Sequence, residues 1–104
     1  MIRPLLVAAL ASGAVLAVPA LAQGIDPNLG RNLAAACANC HGTNGVSQPG
    51  MPNLAGQQRA YLVQQMQDFR AGKRAATIMH QIAKGYSDEQ IDALAAYFSA
   101  QKSR

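Results

Sequence analysis

Cys37-Ala38-Asn39-Cys40-His41 is the stretch on which the reading of this chain turns. Two thiols three positions apart can add across the two vinyl groups on one edge of a haem, while the next residue reaches beneath the ring toward the iron. Cys37 and Cys40 are therefore the expected thioether positions, and His41 is the expected proximal ligand. Three other uses of the spacing compete: a thioredoxin-like redox pair, half of a zinc site, and a structural disulfide. The redox pair calls for a strand-turn-helix setting, and nothing strand-like precedes Cys37. Zinc needs a second ligand pair, and His80 is the one histidine left.

Toward the N-terminus, the first residues read as a targeting segment. Arg3 gives a short basic start; residues 5–18 form an apolar run; Pro19 breaks it, and Ala20-Leu21-Ala22 supplies an Ala-x-Ala cleavage site. A run of fourteen residues is short of the roughly 20 that span a bilayer. Residues 1–22 are thus expected to be a cleaved signal peptide, with no stable membrane span afterwards. Residues 23–104 are expected to be a single domain in the periplasm. Export and covalent haem attachment agree, since bacterial haem of this kind is joined to its apoprotein outside the cytoplasmic membrane.

Taking 22 residues from 104 leaves 82, a size at which a protein core alone is barely sufficient. A haem supplies the missing apolar volume. Without Arg3, eight Lys and Arg face five Asp and Glu, a net charge near +3. No basic stripe interleaved with aromatics accompanies it, which argues against nucleic acid as a partner. A mildly basic surface suits encounters with an acidic protein instead.

Along the remaining chain the pattern is all-α, with no internal repeat and no alternating strand pattern. Asp26 or Asn28 can cap a first helix from residue 28 to about 40, with Pro27 near its first turn. Leu29, Leu33 and Ala36 fall on one face of it. Gly30 lies within that helix, at about 1 kcal/mol relative to Ala, which suggests a close helix contact. Residues 42–56 read as a loop punctuated by Gly and Pro. Within it, 50–54 is expected to fold back so that the Pro52 carbonyl accepts the second N–H of His41; a metal-bound imidazole normally has such a fixed acceptor.

A second helix is expected from residue 57 to about 71, with Leu62, Met66 and Phe69 on one face, Tyr61 beside them and Gly72 as its cap. Lys73 and Arg74 follow as a basic corner. The most strongly written boundary is Ser87, which with Gln90 forms a capping box and with Tyr86 and Ile91 a hydrophobic staple. Ile91, Leu94, Ala95 and Phe98 continue as an apolar stripe to about residue 101.

The sixth iron ligand separates an electron carrier from a haem with an open site. The candidates are Met51, Met66, Met79 and His80. Met51 is too near the proximal loop, Met66 reads as core filler, and His80 reads as a surface neighbour of the ligand. Met79 is far enough beyond His41 for the chain to pass round the ring and return on its other face. A neutral thioether opposite the imidazole favours ferrous iron and raises the potential. Leu54, Leu62, Ile78 and Ile82 are the expected pocket walls, and Lys73, Arg74 and Lys84 the expected basic rim.

These residues resemble the class I c-type cytochromes over nearly all of residues 28–101. Gly30, Cys37-Ala38-Asn39-Cys40-His41-Gly42, Pro52-Asn53-Leu54-Ala55-Gly56-Gln57, Tyr61-Leu62, Phe69 and Gly72-Lys73-Arg74 look like one haem domain of the cytochrome c4 type. Thr77-Ile78-Met79 and Ile82-Ala83-Lys84-Gly85-Tyr86-Ser87 look closer to the cytochrome subunit of flavocytochrome c sulfide dehydrogenase. The resemblance implies a small class I cytochrome c fold of three to four helices wrapped around one covalently bound haem c. It implies Met79 as axial ligand, Pro52 as partner of His41, and Gly30 packed against Tyr97 or Phe98. Both relatives typically carry two haem domains, whereas this sequence has one attachment motif.

The function expected is one-electron carriage by cycling Fe(III) and Fe(II) with His/Met ligation, without catalysis. The partners expected are a sulfide-oxidising flavoprotein or, for a free shuttle, a terminal oxidase or reductase. A small peroxidase or gas sensor would need an open sixth site.

Overall fold

The structure is a computed structural model that describes residues 9–15 and 26–103. Most of the leader assignment, including Arg3, Pro19 and the cleavage site, lies outside the described residues. Among the described residues the regular structure is entirely helical: α1 (Leu29–His41), α2 (Arg59–Arg70), α3 (Met79–Ala83) and α4 (Asp88–Ser99), with a 3-10 turn at Thr43–Gly45. No helix among them is long and apolar enough to cross a membrane. The short α3 was not legible as a helix in the sequence.

Helix α1 packs chiefly on α4, and α2 packs on both α3 and α4. The buried core is Ala34, Leu62, Leu94, Ala95 and Phe98, flanked by Leu33, Cys37, Leu54, Val63, Tyr86 and Tyr97. The α4 stripe behaves as its spacing requires, with Ile91, Leu94, Ala95 and Phe98 all buried. On α1 the face is shifted from the expected one: Ala34 is buried, whereas Ala36 is exposed. Gly30, Ala34, Cys37 and His41 recur at i, i+4, i+7 and i+11, so the glycine itself marks the inward stripe.

That stripe explains Gly30. A Cβ there would lie 2.5 Å from the Ala93 carbonyl oxygen and 3.0 Å from Tyr97 Cβ. Such an approach is open only to glycine, and it lets α1 and α4 cross closely. The expected contact with Tyr97 is present, with the Ala93 backbone as the tighter neighbour.

The helix ends are set by local chemistry. The Asp26 carboxylate accepts the Asn28 N–H at 2.8 Å ahead of α1. At α2 the Gly72 N–H donates to Phe69 O and the Lys73 N–H to Asp68 O, the paired bonds of a Schellman stop with Gly72 at φ +72°. At α4 the Ser87 hydroxyl accepts the Gln90 N–H while the Gln90 side chain accepts the Ser87 N–H. This is the reciprocal box expected from the sequence.

Candidate functional site

His41 is the last residue of α1, and the chain must turn sharply after it. Gly42 makes the turn at φ +78°, where a Cβ would collide with the Val46 carbonyl oxygen. The 3-10 turn follows, and the Gly45 carbonyl then accepts the N–H groups of Leu54 and Ala55 at 2.9 and 3.1 Å. This folds residues 46–53 back beneath His41. The result is a hydrogen bond of 2.7 Å from His41 Nδ1 to the Pro52 carbonyl. An imidazole nitrogen facing a carbonyl must carry the proton, so Nδ1 is the N–H and Nε2 keeps its lone pair. His41 is buried, at 8% exposure.

Asn53 holds this loop, a role the sequence reading did not assign it. Its side chain accepts the Ser47 N–H at 3.2 Å and donates to Ala55 O at 3.0 Å. Its own carbonyl accepts from the Gln57 side chain. The signal was available as an asparagine directly after the proline. On the other side of the loop, the Tyr97 hydroxyl donates to Asn44 Oδ1 at 2.6 Å, and Gly56 N–H donates to Phe98 O at 2.9 Å. Helix α4 therefore fastens the chain on both sides of residues 46–53, at Asn44 and at Gly56.

One cavity of about 570 Å³ collects the predicted residues. Cys37, Cys40, His41, Pro52 and Met79 all line it, as do the expected walls Leu54, Leu62, Ile78 and Ile82. Met51 and Met66 line it too, so Met66 is cavity wall and not core filler. His80 is not among the lining residues, and its Nδ1 is buried without a partner. Of the expected basic rim, Arg74 reaches the cavity while Lys73 and Lys84 do not.

The protein's own core is small, and half of the buried apolar residues are alanines. Larger side chains around the cavity remain uncovered: Ile78 is 57% exposed, Tyr61 49%, Met51 40% and Ile82 38%. The volume lies within the range of cofactor pockets, and the walls are largely apolar with the two free thiols of Cys37 and Cys40 among them. These residues fit a haem: thioethers from Cys37 and Cys40, and an oriented imidazole nitrogen from His41. Burial raises the Cys37 thiol above its ordinary range, a backbone hydrogen bond opposing only in part. A redox dithiol needs the opposite shift. Among the described residues no three His, Cys, Asp or Glu converge as a metal cluster, so the zinc alternative lacks its ligands.

Residues 27–102 match the cytochrome c family. The chain belongs to that family. This cytochrome is 37% identical over 98 residues to the cytochrome subunit of sulfide dehydrogenase from Chlorobaculum tepidum, covering 91% of this chain and 88% of the relative. It is 46% identical over 81 residues to the thiosulfate dehydrogenase electron acceptor of Stutzerimonas stutzeri, covering 75% of this chain but 38% of the relative. Its fold superposes on reduced cytochrome c4 from Pseudomonas stutzeri with a TM-score of 0.70 and 36% identity, covering 78% of this chain and 48% of that one. The chain thus spans less than half of the latter two proteins, and nearly the whole length of the first.

The family sets the cofactor: haem c, with Cys37 and Cys40 fitting its attachment motif. It also sets the activity, which is electron transfer with redox partners, not catalysis.

Proposed function

We propose that this cytochrome is a periplasmic one-electron carrier with His41 and Met79 as the iron's axial ligands and Pro52 as the residue that orients His41. The observation that carries the reading is the 2.7 Å bond from His41 Nδ1 to Pro52 O within a cavity that Met79 also lines. That bond fixes the tautomer and leaves Nε2 as the coordinating nitrogen. Met79 comes from a different element, the first residue of α3, 38 positions beyond His41. The bound haem supplies the redox chemistry, one electron entering and one leaving through Fe(III) and Fe(II). The chain's residues keep that exchange outer-sphere. Leu54, Leu62, Ile78 and Ile82 give the cavity apolar walls, and an apolar surround disfavours the extra charge of the ferric state. A thioether from Met79 favours the ferrous state further.

Carbon monoxide added to the reduced protein tests the ligand set. A carrier ligated on both sides resists it at neutral pH, whereas a rapid and complete spectral change would refute Met79 as ligand and return the open-site reading.

The leader over residues 1–22 supports export, and N-terminal sequencing of the secreted protein, expected to begin at Gln23, tests cleavage. For the partner we favour a sulfide-oxidising flavoprotein, supported by the near full-length similarity to a sulfide dehydrogenase cytochrome subunit. The second reading is a free shuttle to a terminal oxidase or reductase. Co-purification with a flavin-containing chain supports the first, and isolation without one supports the second.

A further inference from the structure

Arg74 follows the Schellman stop of α2 and is the one cationic side chain among the residues that line the cavity beside His41. Its guanidinium is held on both sides. The carbon at its centre lies 4.7 Å above the Phe69 ring, a cation–π contact, and one of its nitrogens donates to Gln65 Oε1. Gln65 and Phe69 stand four positions apart on α2 and both line the cavity. A long side chain gives up rotamer freedom to be held in this way. Surface ion pairing does not explain it. Arg59 pairs with Asp92 and Arg70 with Asp88, whereas Arg74 has no carboxylate partner among the described residues.

A fork of N–H donors at the edge of a largely apolar cavity is chemically suited to a carboxylate. The haem c assigned to that cavity carries two, its propionates. We propose that Arg74 binds a haem propionate, with Phe69 and Gln65 holding the guanidinium in position to do so. The proposal rests on the haem reading above. It also gives the Gly72 stop a purpose, since reversing the chain at the end of α2 is what returns Arg74 along the Gln65–Phe69 edge.

The test compares the parent holoprotein with Arg74→Gln, Arg74→Lys and Lys73→Gln. Each glutamine variant removes one positive charge, from adjacent positions, one lining the cavity and one not. Resonance Raman scattering reads the propionate bending band, and a redox titration reads the midpoint potential. The band is expected to move in Arg74→Gln and in Arg74→Lys, because lysine keeps the charge and loses the fork. The potential is expected to fall in Arg74→Gln by about twice or more the fall in Lys73→Gln, since a screened charge acts within a Debye length of about 8 Å. It should stay near the parental value in Arg74→Lys. A band that stays at its parental position in both Arg74 variants overturns the proposal, whatever the potential does. Should Arg74→Gln fail to fold, Arg74→Lys alone decides by the same band. A parent preparation without covalent haem would instead sink the haem reading, and its absorption spectrum reveals that before any variant is made.

Discussion

Gly30→Ala is the sharpest test of how α1 is seated, because two effects of opposite sign meet at one methyl group. Helix propensity favours the change by about 1 kcal/mol. Sterics oppose it: the new Cβ would sit 2.5 Å from the Ala93 carbonyl oxygen and 3.0 Å from Tyr97 Cβ. The nearer atom is α4 backbone, so no rotamer change relieves the clash, and α1 must lift from α4. Overpacking of this kind costs about 1–3 kcal/mol, occasionally more. A backbone neighbour puts Gly30 at the upper end, and the net expected loss is about 1–2 kcal/mol. In a domain of this size that is a fall in Tm of roughly 4–16 °C. Thermal unfolding of the ferric holoprotein, followed by far-ultraviolet circular dichroism, measures it. Asn32→Ala, on the exposed side of the same helix, is the control and is expected within about 0.5 kcal/mol of the parent. A Gly30→Ala protein as stable as the parent would refute the close crossing of α1 and α4.

Met79→Ala is expected to lower the midpoint potential and make the reduced protein bind carbon monoxide readily; an unchanged potential means that the ligand is elsewhere. Cys40→Ala is expected to leave the haem held by the Cys37 thioether alone and to destabilise the fold, checked by the pyridine haemochrome spectrum, whose α band should move to longer wavelength as one vinyl group is restored, and by guanidinium unfolding; an α band at the parental position would contradict the attachment role. Ser87→Ala removes the hydroxyl that accepts the Gln90 N–H at 3.2 Å and is expected to cost about 1 kcal/mol in guanidinium unfolding, with an unaltered visible spectrum. An unfolding midpoint equal to the parent's would mean that the box seen at α4 adds nothing.

What the sequence disclosed follows from how local each signal is. The α4 box and stripe are written within a dozen residues, and the structure repeats them residue for residue. The attachment motif is equally local. Gly30 was legible as an anomaly but not in its full meaning, because its nearest neighbour is a backbone carbonyl 63 residues away, an atom that carries no side-chain signature. The α1 face was misread by one position for a related reason: alanines dominate that helix, and an alanine stripe gives little contrast between inside and outside. Helix α3 has five residues and no side-chain cap; a segment so short is not stable by its own propensity, and its helicity comes from packing on α2. Arg74 could be seen only as part of a basic corner. Its separation from Lys73 and Lys84 depends on which way the chain leaves Gly72.

The two sides of the cavity are built to different standards. His41 ends a thirteen-residue helix and is braced by Pro52, by the Gly42 turn and by the α4 bonds from Tyr97 and Phe98. Met79 opens a five-residue helix whose cap residue, Ile78, makes no side-chain bond and is 57% exposed. Low-stability segments are those with few buried contacts and exposed backbone hydrogen bonds, and α3 meets that description apart from Ala83, which is fully buried. On the proposed ligation, the covalent and hydrogen-bonded constraints therefore gather on the histidine side. The methionine side depends on the ligand bond itself and on the Ile78 and Ile82 walls closing over the haem. In a chain where half of the buried apolar residues are alanines, burying those walls against the haem would add substantially to the apolar contact that holds the fold.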